Sequence, residues 1–290
     1  MIISIQSHVV FGHVGNRAAV FPLERMGVEV LPLNTVQFSN HPGYGTWKGT
    51  YLPGSHIADI WRGIVEIGSA DQCEAVLSGY IGSSEVGREI IDIVESLRKA
   101  GTPGIFCCDP VMGDYKEGLY VKADIPDFYK EEALPRASIL KPNQFEAELL
   151  SGIPIHDLSS AKRACSILHD KGPSIVLITS VDAIYGSDES ICSVLSLRDR
   201  ISGKDNGYSI RSPRFSFAIP PHGAGDLTCA LFLGYYLESA DPILAFERTM
   251  TAVHRVFERT HASQGRELEI VASQDAFAVR EVLFPCSHLW

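Results

Sequence analysis

The sequence predicts an α/β fold with a central, mostly parallel sheet and helices on both faces, and three observations point to it. Short apolar runs alternate with segments of helical period almost from the first residue. The runs are apolar on both sides, as strands covered by helices on both faces must be. The 290 residues are 45% hydrophobic and 21% charged, enough for a full core and within the range of a single α/β domain. Right-handed crossovers then make the sheet doubly wound.

Residues 2–6 read as a buried first strand. Asn16 is placed to cap a helix running to Met26, with Gly27 ending it. Pro22 lies inside that helix and should kink it or shift its start. Residues 28–33 read as the next strand. Ser55 can cap a helix whose stripe is Ile57, Ile60, Trp61, Ile64 and Val65. Strand 75–78 and helix 84–100 follow, the helix closed by Gly101. Strand 105–108 ends in Asp109-Pro110, and 138–140 is a short strand. Asn143 and Glu146 have capping-box spacing, and Gly152 closes their helix. A helix over 159–171 precedes a very apolar strand at 175–179. Residues 191–197 and 207–219 read as antiparallel strands around the polar loop 199–206, and helices follow over 224–238 and 242–261. No Pro/Gly/Ser-rich linker, low-complexity tract or repeat interrupts the pattern, so residues 1–290 are expected to form one domain. Segment 37–53, with Gly43, Tyr44, Gly45 and Trp47, is either a small flap over a pocket or a surface connection.

Charge and cysteine usage narrow the function. The chain has 25 Lys and Arg against 35 Asp and Glu, a net charge of −10. An acidic surface argues against nucleic acid or an anionic membrane as main partner, but leaves a nucleotide open. No segment approaches the ~20 apolar residues of a membrane span, and the start lacks the basic region and cleavage site of a signal peptide. Seven cysteines without a C-x-x-C pair suit neither a disulfide framework nor a zinc cluster. Cys286 is fifth from the end, where a prenylation box needs the fourth. A cytoplasmic protein is expected. P-loop, dinucleotide-fingerprint, nucleophile-elbow and H-E-x-x-H motifs are absent.

Ligands in such folds bind beyond the carboxyl ends of the strands, and five places there carry chemistry. In Gly223-Ala224-Gly225-Asp226, two glycines and a helix N-terminus form an anion site. Asp226 either takes a proton from an attacking hydroxyl or is a favourable first-turn acid. Asp109 and Asp114 either serve a hard cation, which takes one or two carboxylates plus substrate phosphates, or flank a solvated turn. Asn143 and Glu146 cap a helix, reach a phosphate and a metal-bound water, or do both. The hydroxyls of Thr179 and Ser180 either contact phosphate or form a turn. The run from Ser7 to Asn16, with His8 and His13, mixes polar and apolar groups in a way that suits a small aromatic ligand, although either His is as readily structural.

In this order the motifs resemble the pyridoxal kinases of the ribokinase-like superfamily. The matching runs are Ser7-His8-Val9 with Gly12-His13-Val14-Gly15-Asn16, Val36 to His41, Leu77-Ser78-Gly79-Tyr80, Asp109 to Asp114, Pro142 to Gly152, and Gly223 to Asp226. They span nearly the whole chain. The last is shared across the superfamily, while the runs beginning at Gln37 and Asn143 are more specific. The resemblance implies a ribokinase-like fold and ATP-dependent phosphorylation of the 5′-hydroxyl of pyridoxal, pyridoxine and pyridoxamine. It also implies Mg²⁺ or another divalent ion, a monovalent cation such as K⁺, and a homodimer. By the same resemblance Asp226 is the base, and Gly223, Ala224 and Gly225 are the anion hole. Ser7, Val14, Phe38, Pro42, Tyr80 and His222 face the vitamin. Tyr120, Asn143, Glu146, Thr179, Ser180, Phe217, Ala218, Ile219 and Ala224 face ATP, and Asp109, Asp114 and Glu146 the metal.

Three positions depart from the family pattern. Pro42 stands where a vitamin-contacting Thr is common. Pro220-Pro221-His222 replaces a more apolar, less rigid approach to the anion hole. Lys141 stands where Thr or Ala is common, and either supplies the monovalent charge itself or turns outward to solvent. The competing functions are a hydroxymethylpyrimidine kinase and a catalytically inactive B6-binding protein. The Gln37–His41 run speaks against the first, and the retained Asp226, glycines and Asp109/Asp114 pair against the second.

Overall fold

A computed structural model describes residues 1–184, 189–278 and 280–290. In chain order the elements are β1 (Ile2–Phe11), α1 (Asn16–Arg25), β2 (Val30–Asn40), β3 (Gly49–Tyr51), α2 (Gly54–Glu66), β4 (Ala75–Ser78) and α3 (Ser84–Lys99). Next come β5 (Ile105–Cys108), β6 (Gly113–Asp114), β7 (Gly118–Leu119), α4 (Ile125–Phe128), β8 (Ile139–Leu140), α5 (Gln144–Ser151), α6 (Leu158–Lys171) and β9 (Ile175–Ile178). The chain ends with β10 (Ser190–Arg198), β11 (Asp205–Pro213), α7 (Ala224–Ser239), α8 (Pro242–Ser263) and β12 (Ser287–His288).

Ten strands form one sheet in the order β12-β11-β10-β9-β8-β5-β4-β1-β2-β3. The run from β2 to β9 is parallel, and β3, β10, β11 and β12 add antiparallel edges. Side chains alternate across the sheet, so Ile3, Ile5, Val76 and Phe106 meet one core while Ile2, Ala75, Leu77 and Cys107 meet the other. Helices α2, α3, α5 and α6 cover the first core, and α1, α7 and α8 the second. Helix α7 is apolar all round, from Leu227 to Tyr235, because it is buried on every side.

The chain leaves β1 toward β2 on one side, then returns to β4 and builds outward on the other. This reversal opens a crevice beyond the carboxyl ends of β1 and β4, the place where such sheets bind ligands.

Several sequence expectations need correction. Strands β1 and β2 run on to Phe11 and Asn40, well past the predicted ends at 6 and 33, and β2 begins at Val30 rather than 28. The Ser7 motif is therefore in a strand rather than after one. The extension persists because Val9, Val36 and Phe38 keep alternating into a small apolar cluster with Val14 and Tyr80. The register slips between Gln6 and His8, a bulge beyond which β1 pairs with β2 and no longer with β4.

Asn16 opens α1 without capping it. Its buried amide instead takes a hydrogen bond from Ser4 and donates to Leu33 O and Asn34, tying β1 to β2. Pro22 stays within α1 and does not move its start. Pro53, not Ser55, precedes α2. Strand β11 stops at Pro213 rather than 219, where a residue without an N–H ends the ladder. Phe215 and Phe217 pack instead against His254, Phe257 and His261 of α8. The short strands β3, β6, β7 and β12 were not anticipated.

Candidate active site

The crevice holds a cavity of about 720 Å³. Its apolar end is built by the extended strands and by segment 37–53, which forms a flap: a 3₁₀ turn at Pro42–Tyr44, then β3 returning antiparallel to β2. Phe38 packs on Trp47 with ring centroids 4.2 Å apart and meets Tyr51 edge-on at 5.2 Å. With Val9, Val14, Val36 and Tyr80 they make a wall suited to a flat aromatic ring. Ser7 and His222 add polar atoms to this end. His41 stacks on His222 at 4.0 Å, and burial, the His222 ring and Arg266 hold its pKa down at about 4.

The flap tip is held by residues far along the chain. Arg266 donates to Gly43 O at 2.7 Å and its guanidinium lies 3.6 Å from the Tyr44 ring centre. The Tyr44 hydroxyl donates to Glu267 at 2.7 Å, and the other Glu267 oxygen accepts from His13 N–H at 2.8 Å. Glu267→Ala removes both of these bonds. It should raise the KM for the aromatic substrate several-fold and leave the nucleotide KM nearly unchanged, and equal increases in the two constants would show that the flap is not held this way.

At the polar end, α7 begins with Gly223 in a left-handed conformation, φ 89°. Leu227 N–H donates back to Gly223 O at 2.9 Å, so the N–H groups of Ala224, Gly225 and Asp226 have no acceptor within the helix; the three residues line the cavity, an arrangement that can bind an anion. One oxygen of Asp226 accepts from Gly15 N–H at 2.8 Å. Burial raises the Asp226 pKa, and the Gly15 hydrogen bond and the Lys141 charge partly offset this. A carboxylate aimed in this way into the junction between the two ends can accept a proton from a hydroxyl.

Lys141 follows β8 and is 3% exposed, which overturns the solvent-facing alternative. Its Nζ lies 2.8 Å from Asp109 Oδ2. Burial opposes the charge on Lys141, but the Asp109 carboxylate outweighs it, and the ammonium is held well above its ordinary pKa. Burial lifts Asp109 to about 6 despite this partner. Burial and the Asp109 charge lift Glu146 to about 8.

Asn143 and Glu146 form the predicted capping box on α5. The Asn143 amide also donates to Gly113 O at 2.8 Å, and Glu146 accepts from Met112 N–H at 2.9 Å. Each side chain thus divides its polar atoms between the cap of α5 and the loop after β5. Asp114 accepts from the N–H groups of Lys116 and Glu117 in a turn.

The cavity brings together nearly every residue singled out above: Asp226 and its turn, Asp109, Asp114, Tyr120, Asn143, Glu146, Thr179, Ser180 and the six vitamin-side positions. Phe217 lies outside it and lines an adjoining apolar slot of about 330 Å³. Ala218 and Ile219 line neither, and Ile219 is 50% exposed. Trp47 and Tyr51 proved to be walls, and the aromatic content of segment 37–53 was a usable signal. Arg266 and Glu267 carried none, since nothing local in sequence marks a contact across 223 positions.

Comparison with known proteins fits this geometry. Residues 60–268 match the family model described as phosphomethylpyrimidine kinase. Pyridoxal kinase PdxY of Corynebacterium diphtheriae is 40% identical over 289 residues, covering 99% of each chain. The chain belongs to the pyridoxal kinase family. PdxY of Pseudomonas putida is 41% identical over 288 residues, covering 99% of this chain and 97% of its own. Pyridoxal kinase of Leishmania donovani, solved with ADP and pyridoxine, superposes with a TM-score of 0.91 at 31% identity, covering 100% of this chain and 99% of its own. These relatives agree with the ribokinase-like fold.

Proposed function

We propose that this chain is an ATP-dependent kinase that phosphorylates the 5′-hydroxyl of pyridoxal, pyridoxine and pyridoxamine. One observation carries the reading: Asp226 sits at the start of an anion-binding helix, between an aromatic-walled pocket and a polar basin with an adjoining apolar slot. The pocket takes the pyridine ring and presents its hydroxyl to Asp226. The basin takes the phosphates and the slot the base. Asp226 accepts the hydroxyl proton as that oxygen bonds to the γ-phosphorus, while the bond to ADP breaks. The N–H groups of Ala224 and Gly225 stabilise the equatorial oxygens.

Among the described residues no three His, Cys, Asp or Glu side chains are grouped to hold a metal ion unaided. The carboxylates fit an ion that arrives with the nucleotide, which needs only one or two of them. Asp114, Asp109 and Glu146 line its place. Such an ion would neutralise phosphate charge. Asp109 is already paired with Lys141 and Glu146 accepts from the Met112 and Asn143 N–H groups, so Asp114 is the most available partner.

We further propose one domain over residues 1–290 and a cytoplasmic homodimer. No described helix is long and apolar enough to cross a membrane. Helix α2 and the residue after it expose the apolar side chains Ile60, Val65 and Ile67, which a second copy could cover.

The deciding experiment is an ADP-release assay with pyridoxal and hydroxymethylpyrimidine side by side. Turnover of pyridoxal at a much higher kcat/KM is expected. Preference for the pyrimidine would favour a hydroxymethylpyrimidine kinase, and binding of pyridoxal without turnover would indicate a binding protein. Pro42 lines the vitamin end, so Pro42→Thr should shift the pyridoxal KM and leave that for ATP. An unchanged pyridoxal KM would remove position 42 from the substrate contacts.

A further inference from the structure

We propose that Lys141 is the resident monovalent cation of the phosphoryl-transfer site: its tethered ammonium positions the anion-binding turn and the carboxylates around it, so that no free potassium ion is needed. The inference rests on the phosphotransfer reading and concerns how that site is charged.

The placement is specific. Lys141 N–H donates to Cys108 O at 2.9 Å, which fixes the residue beside the end of β5. The side chain runs inward and Nζ meets Asp109 Oδ2 at 2.8 Å. A methyl group built on Gly225 would stand 3.1 Å from Nζ and 3.8 Å from that Asp109 oxygen. The ammonium is therefore lodged directly against the first turn of α7, one residue from Asp226.

The charges nearby explain why a cation belongs there. Asp109 and Asp226 both line the cavity that must admit a nucleotide carrying several negative charges. Carboxylates in a poorly solvated site repel an incoming phosphate. A positive charge at the base of the turn offsets them and aligns the turn with the phosphoryl group. Either a free ion or a side chain can supply that charge. An ammonium is a compact cation with three donors, comparable to a small monovalent ion, and here it is attached to the chain.

The test compares wild type with Lys141→Ala, which leaves room for an ion. Turnover, and ADP binding by calorimetry, are measured across potassium, ammonium and tetramethylammonium chlorides at constant ionic strength. Wild type should be nearly indifferent to the cation. The variant should lose about 10²-fold in kcat in tetramethylammonium, and potassium or ammonium should restore much of it with saturation while restoring ADP affinity. Strong potassium activation of wild type overturns the proposal, and that arm needs no variant. A folded variant, judged by its thermal melt, that is impaired equally in all three salts also overturns it. Failure to phosphorylate pyridoxal would instead count against the assigned function, and ADP binding would still decide the role of Lys141.

Discussion

Asp226→Asn should bind nucleotide and vitamin normally and turn them over ~10²–10⁴ times more slowly. The amide oxygen can still accept from Gly15 N–H, so the 2.8 Å contact that orients the side chain survives. What disappears is the ability to take the hydroxyl proton. The pH profile adds a second signature. Burial holds the Asp226 pKa above its ordinary value of 3.8. In wild type, kcat/KM should therefore fall with acidification at a pH above 3.8, as the base becomes protonated, and the residual activity of the variant should lack that limb. Stability should move the other way. A carboxyl whose folded pKa is raised favours the fold fully below its unfolded pKa, and that contribution is lost as pH rises through the folded value. Removing the charge should thus hold or raise the melting temperature at neutral pH, and the gain should vanish in strong acid. A folded variant with kcat within a few-fold of wild type would show that Asp226 is not the base.

Gly223→Ala should be nearly as damaging, by a steric route. Its Cβ would lie 1.8 Å from the His13 carbonyl oxygen, and φ 89° strains any L residue. Backbone meets backbone here, so the 13–15 loop and the start of α7 must separate. That movement breaks the Gly15–Asp226 hydrogen bond and turns the helix N–H groups off the phosphoryl. We expect a kcat loss of ~10²–10³-fold, as when an oxyanion donor is removed, and destabilisation of about 1–3 kcal/mol. Gly27→Ala is the control. Gly27 also has a positive φ, 83°, but open space around it. It should lower the melting temperature modestly and leave kcat alone. Equal kinetic effects at the two positions would mean that backbone strain, not the anion-hole contact, governs the loss.

Much of this molecule was legible in the sequence, and the legible parts share a cause. Strands β4 and β5 lie at 75–78 and 105–108 as read, because a short apolar run bounded by turn signals is a local property. The capping box of Asn143 and Glu146 and the left-handed Gly152 are equally local. The anion turn and Asp226 were legible because a glycine pair before an apolar helix states its own backbone chemistry. Beyond position 6, β1 was lost for the opposite reason. Its continuation depends on Val36, Phe38 and Tyr80 closing over Val9 beside Val14, and those three lie 27 or more positions away. The end of β11 was misread because the aromatic residues after Pro213 look like strand but are held by α8.

The sequence by itself determined the fold class, the order of the parallel strands along the chain, and the glycine turn that ends in Asp226. These follow from hydrophobic period, glycine and proline placement, and short motifs, each acting within a few positions, whereas the lining of the cavity's apolar end, such as Val14 and Tyr80, was legible only through the resemblance to the pyridoxal kinases. Only the tertiary structure decided which way Lys141 points, that Asp109 is its partner, that Asn143 and Glu146 also bond the loop after β5, and that Arg266 and Glu267 hold the flap. Each of these depends on which charges and donors the fold brings within about 3 Å, where burial makes a partner obligatory. Such pairings span tens to hundreds of positions, and no local pattern in the chain encodes them.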